Sequence, residues 1–336
     1  AIRRGQQAIG ALTSYKERGL EPDVIITHPG WGDAFFVRDF FPGARVIGLF
    51  EYFYRPRGAD VGFDPEFPGK LNDIFRLHAS NATQLLALES CDERICPTAW
   101  QKSRFPSAYT PHLSVIHEGI DSAVARPDPN ASFTLANGLR LCAGAEVLTY
   151  VSRSLEPYRG FHVFMRALPT ILRQRPQCQV LIVGAEGASY GPKTDPSGQS
   201  WKQKYLQEVA AELDQSRVHF TGTLPYADYL RVLQISRLHV YLTYPFILSW
   251  SVLEAMACGC VVLASDTAPV HDAIEDEVNG LLFAFRRPDL LAELAVAVLA
   301  DPQAYQHLGR AARQTIVERY DFASVSLPAY QALLPI

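Results

Sequence analysis

An α/β protein made of two doubly wound parallel-sheet domains is the architecture this sequence predicts, and three observations carry that prediction. The stretch Leu238–Ser265 reads as strand, loop, helix, strand. It has a run of β-formers from Leu238 to Thr243, a kink at Pro245, an apolar segment from Trp250 to Cys258 closed by Gly259, and a β-branched run Val261–Ala264. Four more apolar runs, Val147–Val151, Val180–Val183, Val218–Phe220 and Leu281–Phe283, alternate with helical stretches, as a parallel sheet requires. At 336 residues the chain is long for a single core, which favours two domains.

Taken in order, residues 2–19 read as a helix, with Ile2, Ala8, Ile9, Leu12 and Tyr15 apolar and Gly19 at its end. Val24–Thr27 is a strand leading into His28-Pro29-Gly30-Trp31-Gly32, where Trp31 is expected to pack. A parallel-sheet domain seldom opens with a helix, so the chain is expected to begin inside its first domain, with the initial strands missing. Arg45–Phe50 is the next strand and ends at Glu51. The stretch Gly58–Gly69 reads as a solvated acidic loop (Asp60, Asp64, Glu66) whose length makes it a candidate binding element. Leu71–Ser90 is one helix, followed by strands near Arg94–Cys96 and at Leu113–His117. Residues 122–141, with Pro127 and Pro129 and little periodicity, read as the interdomain linker. The expected divisions are therefore 1–121, linker 122–141, 142–318, and a closing helix over 319–336 that returns to the first domain.

Composition narrows the function classes. A net charge of −4 argues against a nucleic-acid-binding surface but leaves room for local basic patches. The six cysteines sit mostly in apolar runs and read as reduced, buried thiols of a cytosolic protein. Cys258-Gly-Cys260 reads as a helix end and strand start rather than a metal pair. No run reaches the length of a membrane span, since Glu254 interrupts the most apolar segment.

Chemistry concentrates where strands of the second half end. Ser251 and Glu254 have capping-box spacing, which sets a helix start there and aims unpaired N–H groups of 249–253 (Ser249, Trp250, Ser251, Val252, Leu253) at the mouth of the sheet, a seat for an anion. Arg153 follows the first strand of this half, and Arg159 stands six residues later at a helix entry. Two guanidinium groups there suit a diphosphate, although two solvated surface arginines read equally well from the pattern alone. Gly184 and the segment Thr221-Gly222-Thr223-Leu224 end neighbouring strands, as turn residues or as ligand contacts. His28 and Glu51 end strands of the first half. His28 also reads as a turn histidine, whereas Glu51, set in a row of aromatics, needs a partner or a task.

The order Ser-Trp-Ser-Val-Leu-Glu-Ala-Met-Ala-Cys-Gly resembles the Glu-Ala-Met-Ala-x-Gly signature of retaining glycosyltransferases of the GT-B fold, family 4-like. His-Pro-Gly-Trp-Gly and Pro-Thr-Ala-Trp-Gln resemble a bacterial envelope and exopolysaccharide subgroup. The resemblance implies two Rossmann-like domains facing a cleft, with Glu254 on the donor ribose and Arg153 and Arg159 on the donor diphosphate. It places Gly184, Thr221, Gly222 and Leu224 at the nucleotide and His28 and Glu51 at the reacting centre. It departs at Phe246, where a second glutamate is usual. No Asp-x-Asp motif occurs, so neither metal nor cofactor is expected.

The implied reaction is transfer of a hexose, with retention, from a UDP-sugar (GDP-sugar second) to a saccharide or lipid-linked saccharide. A cytoplasmic location with peripheral contact to the inner membrane through the first domain goes with it. Two alternatives stay open at this point: a GT-B nucleotide-sugar 2-epimerase, and a non-catalytic nucleotide-sugar-binding protein.

Overall fold

The computed structural model describes residues 1–334 and divides into two units. The first comprises 1–119 together with 245–247 and the chain from Ala323 onward; the second comprises 120–244 and 248–322.

The first unit runs α1 (Ile2–Glu17), β1 (Val24–Thr27), α2 (Val37–Phe40), β2 (Arg45–Leu49), α3 (Leu71–Ser90), β3 (Glu93–Cys96), α4 (Ala99–Arg104) and β4 (Ser114–Val115). Its four strands are parallel and lie side by side in chain order. Asp73 caps α3 by accepting the backbone N–H of Lys70 at 2.8 Å, which starts the helix at the residue the apolar pattern predicts. Val46, Phe50, Leu88, Cys96 and Phe105 form the core. The last strand is shorter than expected, and just past it the His117 ring takes the Gly119 N–H at 2.9 Å. Two expectations fail in this unit. Trp31 is 63% exposed, beneath the Arg4 guanidinium, rather than packed. The acidic loop is solvated only at Glu66: Asp60 and Asp64 are buried, Asp60 lying 3.4 Å from the Tyr52 hydroxyl and Asp64 accepting the Glu66 N–H at 3.0 Å.

The second unit begins with an antiparallel hairpin, β5 (Ser132–Thr134) and β6 (Arg140–Cys142), inside the segment expected to be a linker. Asn137-Gly138 makes the turn, with Gly138 at φ 85°, a conformation that glycine adopts without strain. There follow β7 (Val147–Ser154), α5 (Phe161–Gln174), β8 (Gln179–Ala185), α6 (Trp201–Val209), β9 (Val218–Gly222), α7 (Tyr226–Gln234) and β10 (Leu238–Tyr241). The unit continues through α8 (Trp250–Ala257), β11 (Val261–Ser265), β12 (Leu281–Phe283), α9 (Pro288–Ala300) and α10 (Pro302–Arg319).

All six main strands are parallel, in the order β12-β11-β10-β7-β8-β9. Chain direction along the sheet therefore reverses between β7 and β10, and ligands of such sheets bind at that switch point, beyond the carboxyl ends of the strands. Burial on both faces explains why β11 from Val261 to Ala264 is a continuous apolar run and why β7 from Val147 to Val151 is apolar but for Thr149. Arg313 on α10 donates to the carbonyls of Ala257, Ala125 and Ser122, which fixes the α8 end against the opening segment of the unit. Beyond α10, a π-helical turn over Phe322–Ser326 and a short α11 (Leu327–Gln331) replace the single closing helix expected. Among the described residues, no helix is long and apolar enough to cross a membrane.

Candidate active site

The switch point is closed by a glycine. Gly160 sits at φ 66°, and a Cβ on it would lie 2.4 Å from Cβ of Leu242, so the loop after β7 crosses the end of β10 only because residue 160 lacks a side chain. That crossing sets Arg159, the last residue of a single 3₁₀ turn. Arg159 is 7% exposed. It donates from Nη1 to Thr243 Oγ1 at 2.9 Å and lies 5.1 Å from the centre of the Tyr190 ring, while its carbonyl accepts the Tyr150 hydroxyl at 2.6 Å. Tyr158 packs against both Tyr190 and Tyr244, so Arg159 is held at an aromatic cluster.

Arg153 is different. It is the one exposed residue of β7, with no ion-pair partner among the described residues. The two arginines expected as equals are thus one buried, oriented guanidinium and one surface charge.

Glu156, which sequence reasoning passed over, is 1% exposed. Its carboxylate accepts the N–H groups of Ser189, Tyr190 and Gly191 at 2.9, 3.3 and 3.0 Å. It thereby anchors the loop that lays Tyr190 over Arg159. The available signal was a carboxylate between a buried strand and a buried helix, which cannot stay without donors.

The predicted capping box is absent. Ser249 caps α8, its Oγ accepting the Ser251 N–H at 3.3 Å, while its own N–H goes to the Tyr241 hydroxyl at 3.0 Å. Glu254 instead turns sideways and is 7% exposed, with the Tyr226 hydroxyl on Oε1 at 2.8 Å and the Tyr229 hydroxyl on Oε2 at 2.7 Å. Burial pushes its carboxyl above the ordinary range, and the bonds from Tyr229 and Tyr226 oppose that rise. Val252 and Leu253 are fully buried core, so only their backbone is available to a ligand, whereas Trp250 is 52% exposed.

Gly184 has a packing reason: a Cβ there would come within 2.5 Å of the Ser152 carbonyl. Thr221 donates weakly to Ile182 O at 3.3 Å, Gly222 (φ 67°) opens onto free space, and Leu224 leans on the core.

In the first unit, His28 Nε2 stands 3.3 Å from Glu51 Oε2, and Gln101 donates to the Glu51 carbonyl at 2.6 Å. The hydrogen bond to Glu51 raises the His28 pKa, with burial opposing it. His28 Nδ1, Gln84 Oε1 and Gln101 Oε1 are buried polar atoms without a hydrogen-bond partner among the described residues. Because a raised pKa stabilises the charged ring, the pair's contribution to stability is full below the ordinary value of 6.5 and is lost as pH rises through the folded value. In an NMR titration His28 should titrate above 6.5, and Glu51→Gln should return it towards that value. Identical titrations would mean that the pair does not form in solution.

Phe246 belongs to the first unit. It is 3% exposed and meets Tyr52 edge-on at 4.7 Å, and the Tyr52 hydroxyl donates to Pro245 O at 3.2 Å. The residue at the usual glutamate position is therefore packing. Phe246→Ala should cost about 3–5 kcal/mol of stability. A melting temperature equal to the parent's would show that the ring is dispensable.

Residues 140–315 match the model of "Glycosyl transferases group 1", and residues 1–125 match that of the "Glycosyl transferase family 4 group". The chain belongs to the group 1 glycosyl transferases. As such it is 27% identical over 228 residues to a D-inositol 3-phosphate glycosyltransferase of Nocardia farcinica, an overlap of 66% of this chain and 48% of that protein. It is 25% identical over 286 residues to the phosphatidyl-myo-inositol mannosyltransferase of Mycolicibacterium smegmatis, covering 76% of this chain and 69% of the relative. Over the D-inositol 3-phosphate glycosyltransferases it spans less than half of their length, 42% in the relative from Segniliparus rotundus. The Anabaena Alr3699/HepE structure, solved with UDP and glucose, superposes with a TM-score of 0.67 at 18% identity, covering 93% of this chain and 77% of that one. Likeness at that identity establishes the GT-B fold for this group 1 glycosyl transferase, as the sequence predicts.

Proposed function

We propose that this chain transfers a hexose, with retention of anomeric configuration and without a metal, from a nucleotide diphosphate sugar to a saccharide or lipid-linked saccharide. A UDP-sugar is the favoured donor and a GDP-sugar the second. The observation that carries this reading is the buried Arg159 at the switch point of the second sheet, on the same unit as the buried carboxylate Glu254. A guanidinium oriented by Thr243 and Tyr190 offers bidentate donors to a leaving diphosphate. In this reading Arg153 and the N–H groups of the first turn of α8 serve the same anion. Glu254 accepts the donor's ribose hydroxyls.

In this mechanism Arg159 stabilises the negative charge that grows on the diphosphate as the glycosidic bond breaks. The departing phosphate oxygen accepts the acceptor's proton while the acceptor oxygen attacks from the same face. His28, Glu51 and the orphaned buried atoms of Gln84 and Gln101 hold acceptor hydroxyls in the first unit. No group of three or more His, Cys, Asp or Glu positioned to hold a metal occurs among the described residues. The exposed Leu71 and Phe75, one turn apart on α3, support peripheral membrane contact through the first unit.

The test is turnover of labelled UDP-glucose and GDP-mannose with saccharide and lipid-extract acceptors, with and without EDTA, and product anomers read by NMR. Transfer with retention that survives EDTA is expected. Inverted product, or activity lost to EDTA and restored by a divalent ion, would sink the mechanism. Isomerised donor without acceptor would point to an epimerase, and binding without any turnover to a nucleotide-sugar-binding protein.

A further inference from the structure

Glu254 is a buried carboxylate with no cation on it among the described residues. Its two neighbours are phenols from one helical turn, the first and fourth residues of α7, each donating to a different oxygen. Their rings lie 5.9 Å apart, tilted by 35°. A carboxylate offers about four lone-pair sites. The phenols occupy one site on each oxygen, which leaves one on each for a pair of adjacent hydroxyls.

The remaining titratable groups nearby do not supply the missing positive charge. Cys258, which caps the carboxyl end of α8, has its thiol pushed up to about 12 by burial, with Glu254 adding to the rise. Asp121 faces Tyr226, and Arg313 on α10 is spent on the Ala257 carbonyl and acts on Cys258. Burial pushes Glu254 towards the neutral acid, and only the phenol bonds pull it back.

We propose that Tyr226 and Tyr229 are positioning residues that hold Glu254 in one orientation as an ionised acceptor for two vicinal hydroxyls, so that the site prefers ribonucleotide over 2′-deoxyribonucleotide donors. This deepens the assignment of Glu254 to the donor ribose and rests on it. A carboxylate so held matches a cis-diol. If it rotates or takes up a proton, it keeps at most one good acceptor for the pair. Tyr229, partly buried against the core, fixes the orientation; Tyr226, 50% exposed, completes it at the surface.

The experiment is calorimetric binding of UDP and 2′-deoxy-UDP between pH 5.5 and 8, with GDP and 2′-deoxy-GDP in parallel. It uses the full chain and its Tyr226→Phe, Tyr229→Phe and Glu254→Gln variants, and records melting temperatures for each. The ratio of the two affinities cancels the titration that both diphosphates share. The parent should prefer the ribonucleotide by about tenfold or more at pH 8, the effect of one hydrogen bond to a charged group, and its ratio should fall less with pH than that of either Tyr→Phe variant. Each Tyr→Phe variant should lose several-fold of that ratio at pH 8. It should lose more as pH falls, because a Glu254 relieved of one phenol bond takes up its proton at a higher pH. Tyr226→Phe, exposed and isosteric, should keep the parent's melting temperature. If both Tyr→Phe variants keep the parent ratio at every pH while Glu254→Gln collapses it, the tyrosines only pack and the ribose assignment stands. If Glu254→Gln also keeps it, or the parent shows no preference or binds neither diphosphate, the ribose assignment falls and this inference with it.

Discussion

Arg159→Ala is expected to weaken nucleoside diphosphate binding by about 100-fold while leaving nucleoside binding nearly unchanged. The lost interaction is a charge-assisted, oriented contact, of the order of 1.5–3 kcal/mol for each hydrogen bond to a charged group. The side chain is 7% exposed and held from both sides by Thr243 and Tyr190, so little of its charge is spent on water and its geometry is set before the ligand arrives. The same burial means that removal should also lower the melting temperature, by leaving a gap beneath Tyr190 and Thr243 without its donor. Arg153→Ala supplies the contrast: an exposed residue should leave stability unchanged and weaken UDP binding far less. Calorimetry with UDP, uridine and phosphate on both variants checks this. Arg159→Ala binding UDP as tightly as the parent would remove the arginine from the site.

Glu254→Gln should reduce UDP affinity by about 1.5–3 kcal/mol at little cost to the free protein's melting temperature. An amide can accept from one phenol and donate to the oxygen of the other, so neither Tyr226 nor Tyr229 loses its partner. Glu254→Ala leaves both phenols unanswered, and should lower both stability and binding. The tolerance for Gln that a capping box would have provided does not arise here, since α8 is capped by Ser249. A Gln variant that binds UDP as the parent does would reduce Glu254 to a packing element.

Much of this was legible in the chain itself, wherever the information is local. The apolar runs of the second half each became a strand, because a strand buried on both faces needs an unbroken apolar run and nothing more distant. α3 begins and ends where its pattern says, with Asp73 only three residues after the Lys70 N–H that it accepts. The hairpin at Ser132–Cys142 was also legible, in Asn137-Gly138, but the prolines before it read more strongly as a linker.

What the sequence by itself determined is the parallel α/β grammar, a helix within the apolar segment Trp250 to Cys258 and the residue types that suit a nucleotide diphosphate. What only the tertiary structure decided is the partner of each polar group. Glu254 lies 25 and 28 residues from the two tyrosines it binds. Arg159 lies 84 residues from Thr243, and Glu156 lies 33 to 35 from the loop it anchors. A buried carboxylate or guanidinium must find donors or acceptors somewhere, and the sequence states that requirement. Which group meets it depends on strand order, because β10 lies beside β7 although β8 and β9 come between them in the chain.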